Sequence, residues 1–243
     1  MDYTQILSAC AEREQLISMV SMERIVALGY QLGLNESSRV LDFCCGCGTM
    51  LKIWSEAFGI CGIGIDRDAA FIEAGKARLT NDRVTLIAGD MFQYADDERY
   101  DVVLCTELSC GADGHDVPFE SLAEGLRFLA RFSKPGGRLV FGRLFSKIPN
   151  PPKALTDFDG ALPTLGEVYA EIRQCGYFLI AMASDSTAEW ERYITQSAKR
   201  DLARLRQEPK NEDLSAWIDT WYRIYFEYRR PYEGWGLFGI ERL

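Results

Sequence analysis

Three carboxylates stand where a chain could grip a nucleoside. Asp42 follows the apolar pair Val40-Leu41, Asp66 ends Gly62-Ile63-Gly64-Ile65, and Asp90 ends Ile87-Ala88-Gly89. Between the first two lies Cys44-Cys45-Gly46-Cys47-Gly48, a loop of small residues, and then the helix-like stretch Thr49-Met50-Leu51-Lys52-Ile53-Trp54. Small residues let a ligand approach the backbone, and a helix that starts there aims its first N–H groups at it. An acid at the end of a second strand, roughly 20 residues beyond such a loop, can hold both hydroxyls of a ribose. Asp90 can accept a hydrogen bond from an adenine amino group, with Ile65, Met91 and Phe92 beside the ring. The pattern describes a nucleotide-like cofactor at the carboxyl end of parallel strands. A nicotinamide dinucleotide would want Gly-x-Gly-x-x-Gly, and the position three after Gly48 is Leu51.

A second group of chemically able residues follows at 106–118. Glu107, Asp113, His115 and Asp116 are the base candidates there. His115 titrates in the useful range and suits proton removal from a hydroxyl or amine. The other reading of His115 is a solvated loop residue.

The cysteines ask a separate question. Cys44, Cys45 and Cys47 sit on the first loop, and Cys105 and Cys110 follow the fourth apolar run. If those strands are neighbours, all five surround one place. Soft thiolates bind zinc and metalloids, and Cys44-x-x-Cys47 has redox spacing. The plainer expectation is that Cys45 and Cys47 fill tight turn positions and that Cys105 is a small core hydrophobe. No zinc finger is expected and no metal ligands are assigned, because His115 is the only histidine and no second Cys-x-x-Cys exists.

The elements that must position these residues alternate. Strands are predicted at Val40–Phe43, Cys61–Ile65, Val84–Ile87, Val102–Cys105 and Arg138–Gly142, with helices near 49–58, 68–79 and 119–133. That rhythm predicts a doubly wound, mostly parallel α/β sheet with helices on both faces. A helix is predicted over 4–33, and Pro149, Pro151 and Pro152 mark a loop. A helix over 165–175, a sixth strand over 177–182, a charged, aromatic helical stretch over 187–230 and a last strand at 236–240 follow. The stretch at 187–230 is too long for a plain loop and reads as an insertion over the active edge of the sheet.

The chain has 243 residues, enough for one large α/β domain. Its 27 basic and 36 acidic residues give a net charge of −9. Such a chain repels phosphate backbones and anionic membrane surfaces, so neither nucleic acid nor membrane is an expected partner. The first residues lack a basic and an apolar signal region, no apolar run can span a bilayer, and the expected location is cytoplasmic with reduced cysteines.

Over roughly residues 38–142 the chain resembles the class I S-adenosylmethionine-dependent methyltransferases. The glycine loop, the acids Asp66 and Asp90, the strand-four stretch and the turn Lys134-Pro135-Gly136-Gly137 come in that family's order. The resemblance implies a seven-stranded sheet in the order 3-2-1-4-5-7-6 with the last strand antiparallel. It implies S-adenosyl-L-methionine as cofactor, held by Asp42, Cys44, Gly46, Gly48 and Asp66, and further by Arg67, Gly89, Asp90, Met91 and Thr106. His115 and Glu107 are the expected catalytic residues. One departure stands out: Cys44 occupies the first glycine position of the family's Gly-x-Gly-x-Gly, and its Cβ narrows the pocket. The resulting expectation is one domain over 1–243, with a helical cover at 1–37, a cofactor core at 38–145 and an insertion at 187–233. The expected reaction is in-line methyl transfer to a small-molecule acceptor. The alternatives are a thiol- or metalloid-directed methyltransferase using the cysteines, and a nucleotide sensor or NAD-dependent oxidoreductase. A homodimer is left open.

Overall fold

The structure is a computed structural model and describes residues 18–108 and 119–242. Seven strands form one sheet in the order β3-β2-β1-β4-β5-β7-β6. These are β1 (Arg39–Phe43), β2 (Cys61–Asp66), β3 (Val84–Ala88), β4 (Tyr100–Cys105), β5 (Ser133–Ser146), β6 (Phe178–Ser184) and β7 (Glu233–Glu241). Strands β1 to β5 pair in parallel, and β7 runs antiparallel to both β5 and β6. The expected order and the expected reversal of the last strand are both present. Leu41, Phe43, Val103 and Phe141 face one side, whereas Val40, Val102, Leu104 and Val140 face the other, so the inner strands are apolar on both faces.

One side is covered by α1 (Met22–Gln31), α2 (Thr49–Phe58) and α3 (Ala69–Lys76). Trp54 on α2 donates to the Ile25 carbonyl at 2.8 Å, which fixes α2 against α1. The other side is covered by α4 (Leu122–Ala130) and, after a short α5 (Lys153–Asp159), by α6 (Leu165–Gln174). Helix α6 opens with a capping box, Thr164 exchanging hydrogen bonds with Glu167.

The long segment before β7 is helical. It holds α7 (Thr187–Gln207), α8 (Glu212–Ile224), a π-helical turn at Tyr225–Arg229 and the short α9 (Arg230–Tyr232). Trp190, Ile194 and Tyr225 of this insertion pack into the same core as α1 and α2. Glu189 accepts from the Ser21 amide at 2.7 Å and pairs with Arg24 at 3.0 Å, while Arg192 donates to the Ser18 and Val20 carbonyls. The insertion and the segment entering α1 are therefore one assembly.

Several boundaries differ from the sequence reading, three of them by enough to need a reason. The helix expected over 4–33 begins at Met22, because Ser21 caps it by accepting from the Arg24 amide; residues 4–17 lie outside the described residues. Strand β5 is longer than 138–142 at both ends. It already includes Lys134-Pro135-Gly136-Gly137 as an irregularity, since Tyr100 pairs with Ser133 and Val102 with Arg138. It continues to Ser146 because β7 pairs with it along its whole second half.

Candidate functional site

The carboxyl ends of β1, β2, β3 and β4 lie side by side, and the small-residue loop rises from the first. The loop is built from left-handed turns: Cys44, Gly46 and Gly48 have φ of +56°, +54° and +65°. Glycine is required at 48, where a Cβ would fall 2.5 Å from a Leu86 methyl. It is also required at 75 on α3, where a Cβ would fall 2.5 Å from the Cys47 carbonyl oxygen. These two close approaches seat the loop between β3 and α3. Gly48 then caps α2 without any side-chain hydrogen bond, so the first amides of α2 are not claimed by a capping side chain.

Asp66 ties the second strand to this loop. Its carboxylate accepts from the Gly46 amide at 2.8 Å and from the Asp68 amide at 2.9 Å. Each carboxylate oxygen keeps a further lone pair for a ligand hydroxyl. Burial raises the Asp66 pKa above the ordinary carboxylate value, and the two amide bonds offset part of that. Arg67 beside it is exposed, and Asp68 caps α3.

Asp42 is buried below the loop, 2% exposed. Its Oδ1 has no hydrogen-bond partner. Burial, and then the charge of Asp66, push its pKa well above the usual carboxylate range. A buried carboxyl oxygen left without a donor is costly unless a ligand supplies one.

Asp90 follows β3, is exposed, and accepts from the Phe92 amide at 2.9 Å. The Gly89 amide donates to the Asp66 carbonyl at 2.9 Å, which keeps the ends of β2 and β3 together. Nothing lies within 4 Å of a Cβ built on Gly89, so this corner is open. Met91 is buried, and Phe92 meets Phe119 and Phe128 edge-on. Ile65 is part of the core beneath the sheet and offers no open face to a ring.

Cys44 and Cys105 meet at the end of β4. The Cys44 thiol beside it, followed by burial, holds the Cys105 thiol well above its ordinary pKa. The Cys44 sulfur also lies 3.8 Å from the Met91 sulfur. Cys45 turns the other way, toward Gly64 and the Gly46 carbonyl, and burial pushes its thiol up. Among the described residues no three His, Cys, Asp or Glu side chains gather as a metal-holding group.

Thr106 is half-buried and Glu107 exposed, directly beyond Cys105. A Cβ on Gly142 of β5 would meet the Trp235 ring at 2.6 Å, so the start of β7 closes on β5 here. The structure thus brings Asp42, Cys44, Gly46, Gly48, Asp66, Gly89, Asp90, Met91 and Thr106 to one edge of the sheet. His115, Asp113, Asp116 and Cys110 lie outside the described residues.

Sequence reading missed one group at the same edge. Arg229, on the π-helical turn, donates from its guanidinium to both oxygens of buried Asp159, with Nε at 2.9 Å from Oδ2. Its Nε lies 3.5 Å from Glu233 at the start of β7. The guanidinium also sits over Phe158 and Trp221. No sequence signal pointed to this group, because the π turn that places Arg229 is not visible in residue periodicity.

Residues 40–137 match a family model described as a methyltransferase domain. The S-adenosylmethionine-dependent methyltransferase from Geobacter sulfurreducens, solved with S-adenosyl-L-homocysteine, superposes with a TM-score of 0.85 at 26% identity over 98% of both chains. The uncharacterized protein YjhP of Escherichia coli is 26% identical over 99% of both chains. Malonyl-[acyl-carrier protein] O-methyltransferase of Priestia megaterium is 25% identical over 72% of this chain and 57% of its own length.

Proposed function

We propose that this chain, a class I S-adenosylmethionine-dependent methyltransferase, transfers the methyl group in line to a small-molecule acceptor held beneath the helical insertion. The observation that carries the reading is the pair of carboxylates at the loop. Asp66 supports the Gly46 backbone and keeps lone pairs free, while buried Asp42 has an oxygen without a donor. An amine- and hydroxyl-bearing cation fits that demand, so the residues present suit the cofactor.

In this reading Asp66 takes the ribose hydroxyls, and Asp90 takes the adenine amino group with Gly89 leaving the approach open. Arg67 and Met91 flank the nucleoside. Asp42, Cys44, Gly46, Gly48 and Thr106 surround the amino-acid end. When bound, S-adenosylmethionine supplies a methyl group on a sulfonium sulfur, a leaving group that needs no activation. The protein then has to hold the acceptor at near-attack distance in a dry pocket, and correct placement is worth on the order of 7–11 kcal/mol in favourable cases. The insertion and the segment before α1, joined through Glu189, Ser21 and Arg24, serve as the water-excluding cover. Glu107 and His115 are the bases for an acceptor that carries a proton.

The relative named for malonyl-[acyl-carrier protein] aligns over little more than half its length, and one named for demethylmenaquinone over less than half. Neither name fixes the acceptor here. The test is calorimetry with S-adenosylmethionine and S-adenosylhomocysteine, followed by an acceptor screen reading S-adenosylhomocysteine release. Absence of binding to both ligands ends the reading. Binding with no turnover on any acceptor leaves a sensor in its place.

A further inference from the structure

We propose that Cys44 and Cys105 form a thiol-modification site, in which a low-molecular-weight disulfide is captured at Cys44 and resolved by Cys105, leaving a Cys44–Cys105 disulfide that closes the cofactor pocket. The starting observation is the backbone. Cys44 is the one non-glycine among the described residues with positive φ. An L residue there carries a steric cost that glycine would avoid. The strain has a geometric result. Phe43 and Cys105 are aligned across β1 and β4, and both face the α4 side of the sheet. An extended residue 44 would point to the opposite side. The left-handed turn brings it back, so that Cys44 packs on the same cluster that holds Cys105. Strand spacing sets the two Cα atoms ~6 Å apart, inside the range a disulfide bridges.

The two thiols divide the chemistry. Cys44 is partly exposed, and Cys105 is fully buried. The Cys44 thiolate attacks one sulfur of R–S–S–R; that S–S bond breaks, RS⁻ leaves, and it takes up a proton. Cys105 then loses its proton to solvent and attacks the Cys44 sulfur; the second RS⁻ leaves and is protonated. Two protein thiols and one small disulfide give one protein disulfide and two RSH. Because the neighbouring Cys44 and burial keep Cys105 protonated, the second step quickens as pH rises. Once residue 44 is bonded to β4, the loop carrying Gly46 and its tie to Asp66 cannot adjust to a ligand. This last consequence rests on the proposed reading of the pocket, and the covalent step does not.

The whole 243-residue chain, reduced, is treated with oxidised glutathione. It is then examined by intact mass, by non-reducing peptide mapping and by calorimetry with S-adenosylhomocysteine. The expected result is loss of two hydrogens, a Cys44–Cys105 cross-linked peptide, and binding weakened at least tenfold, with recovery in dithiothreitol. Cys105→Ser stops at a glutathione adduct on Cys44. In the wild type, bound S-adenosylhomocysteine slows the adduct, a reading independent of any variant. A lasting adduct in the wild type, a cross-link from Cys44 to Cys47, or a Cys44–Cys105 bond with unchanged binding overturns the inference. If the reduced protein does not bind S-adenosylhomocysteine at all, the proposed function falls, and mass still decides the covalent step.

Discussion

Asp66 at the end of β2 accepts the Gly46 amide at 2.8 Å, so a carboxylate of one crossover unit fixes the backbone of the loop before it. In the proposed reading this contact couples ligand binding to loop shape. Asp66→Ala removes a charge-assisted bond worth about 1.5–3 kcal/mol, which is roughly a 10- to 100-fold loss of S-adenosylhomocysteine affinity. Asp66→Asn keeps the size and one acceptor oxygen and should lose less. Calorimetry reads both, and an unchanged Kd for Asp66→Ala removes this residue from the site.

Asp42 gives a pH dependence with a definite sign. Burial, then the charge of Asp66, raises its folded-state pKa above its unfolded value. Its contribution to ligand-free stability is therefore fully present below about pH 3.9 and is lost as pH rises toward the folded pKa. Asp42→Asn should be more stable than the wild type at neutral pH, by about 1–3 kcal/mol. At this chain length that is about 2–4 °C of Tm per kcal/mol. A bound cation favours the ionised carboxyl, so binding should release a proton in the same pH range. Calorimetry in buffers of different ionisation enthalpy measures that release, and proton uptake on binding would contradict the assignment.

The loop and strand ends of the proposed cofactor half were legible because they are written locally. Asp66, Gly46 and Gly48 lie close in sequence, and each marks a strand end or a turn that only certain residues can make. The alternation pointed to a parallel sheet, and the strand order came from the family resemblance alone. Other parts are written only in three dimensions. Nothing in the sequence sets Asp159 apart, because its partner Arg229 is 70 positions away. Lys134–Gly137 reads as a turn, but pairing with β4 draws it into β5. Cys44 was visible as a departure from the glycine pattern, whereas its meeting with Cys105 depends on a positive φ that no residue type announces.

The Arg229–Asp159 pair should matter more to stability than any exposed ion pair. Both side chains are almost wholly buried, with Glu233 beside them. Asp159→Ala leaves the guanidinium without its two-oxygen partner, at a cost of about 3–5 kcal/mol. Lys153→Ala, which breaks the exposed pair with Asp157, should fall within about 1 kcal/mol of wild type. Urea unfolding of the two variants checks the contrast. Equal midpoints would show that the buried group is already relaxed by solvent.

Cys44→Gly separates the cost of the left-handed residue from its use. Glycine adopts φ of +56° without the Cβ clash, so the variant gains what the cysteine loses there, and glycine's greater freedom in the unfolded chain returns part of it. The contacts to Met91 and Cys105 are lost as well. The balance should favour the variant by about 0.5–1 kcal/mol, the relief of roughly 1–2 kcal/mol of left-handed strain less the roughly 0.5–1 kcal/mol that glycine's freedom costs. The family resemblance places glycine at this position, so S-adenosylhomocysteine binding should persist. Oxidised glutathione should no longer change that binding. Thermal unfolding, calorimetry and intact mass on the one variant give three readings. A variant that is both less stable and unable to bind would mean that the Cys44 side chain holds the loop together.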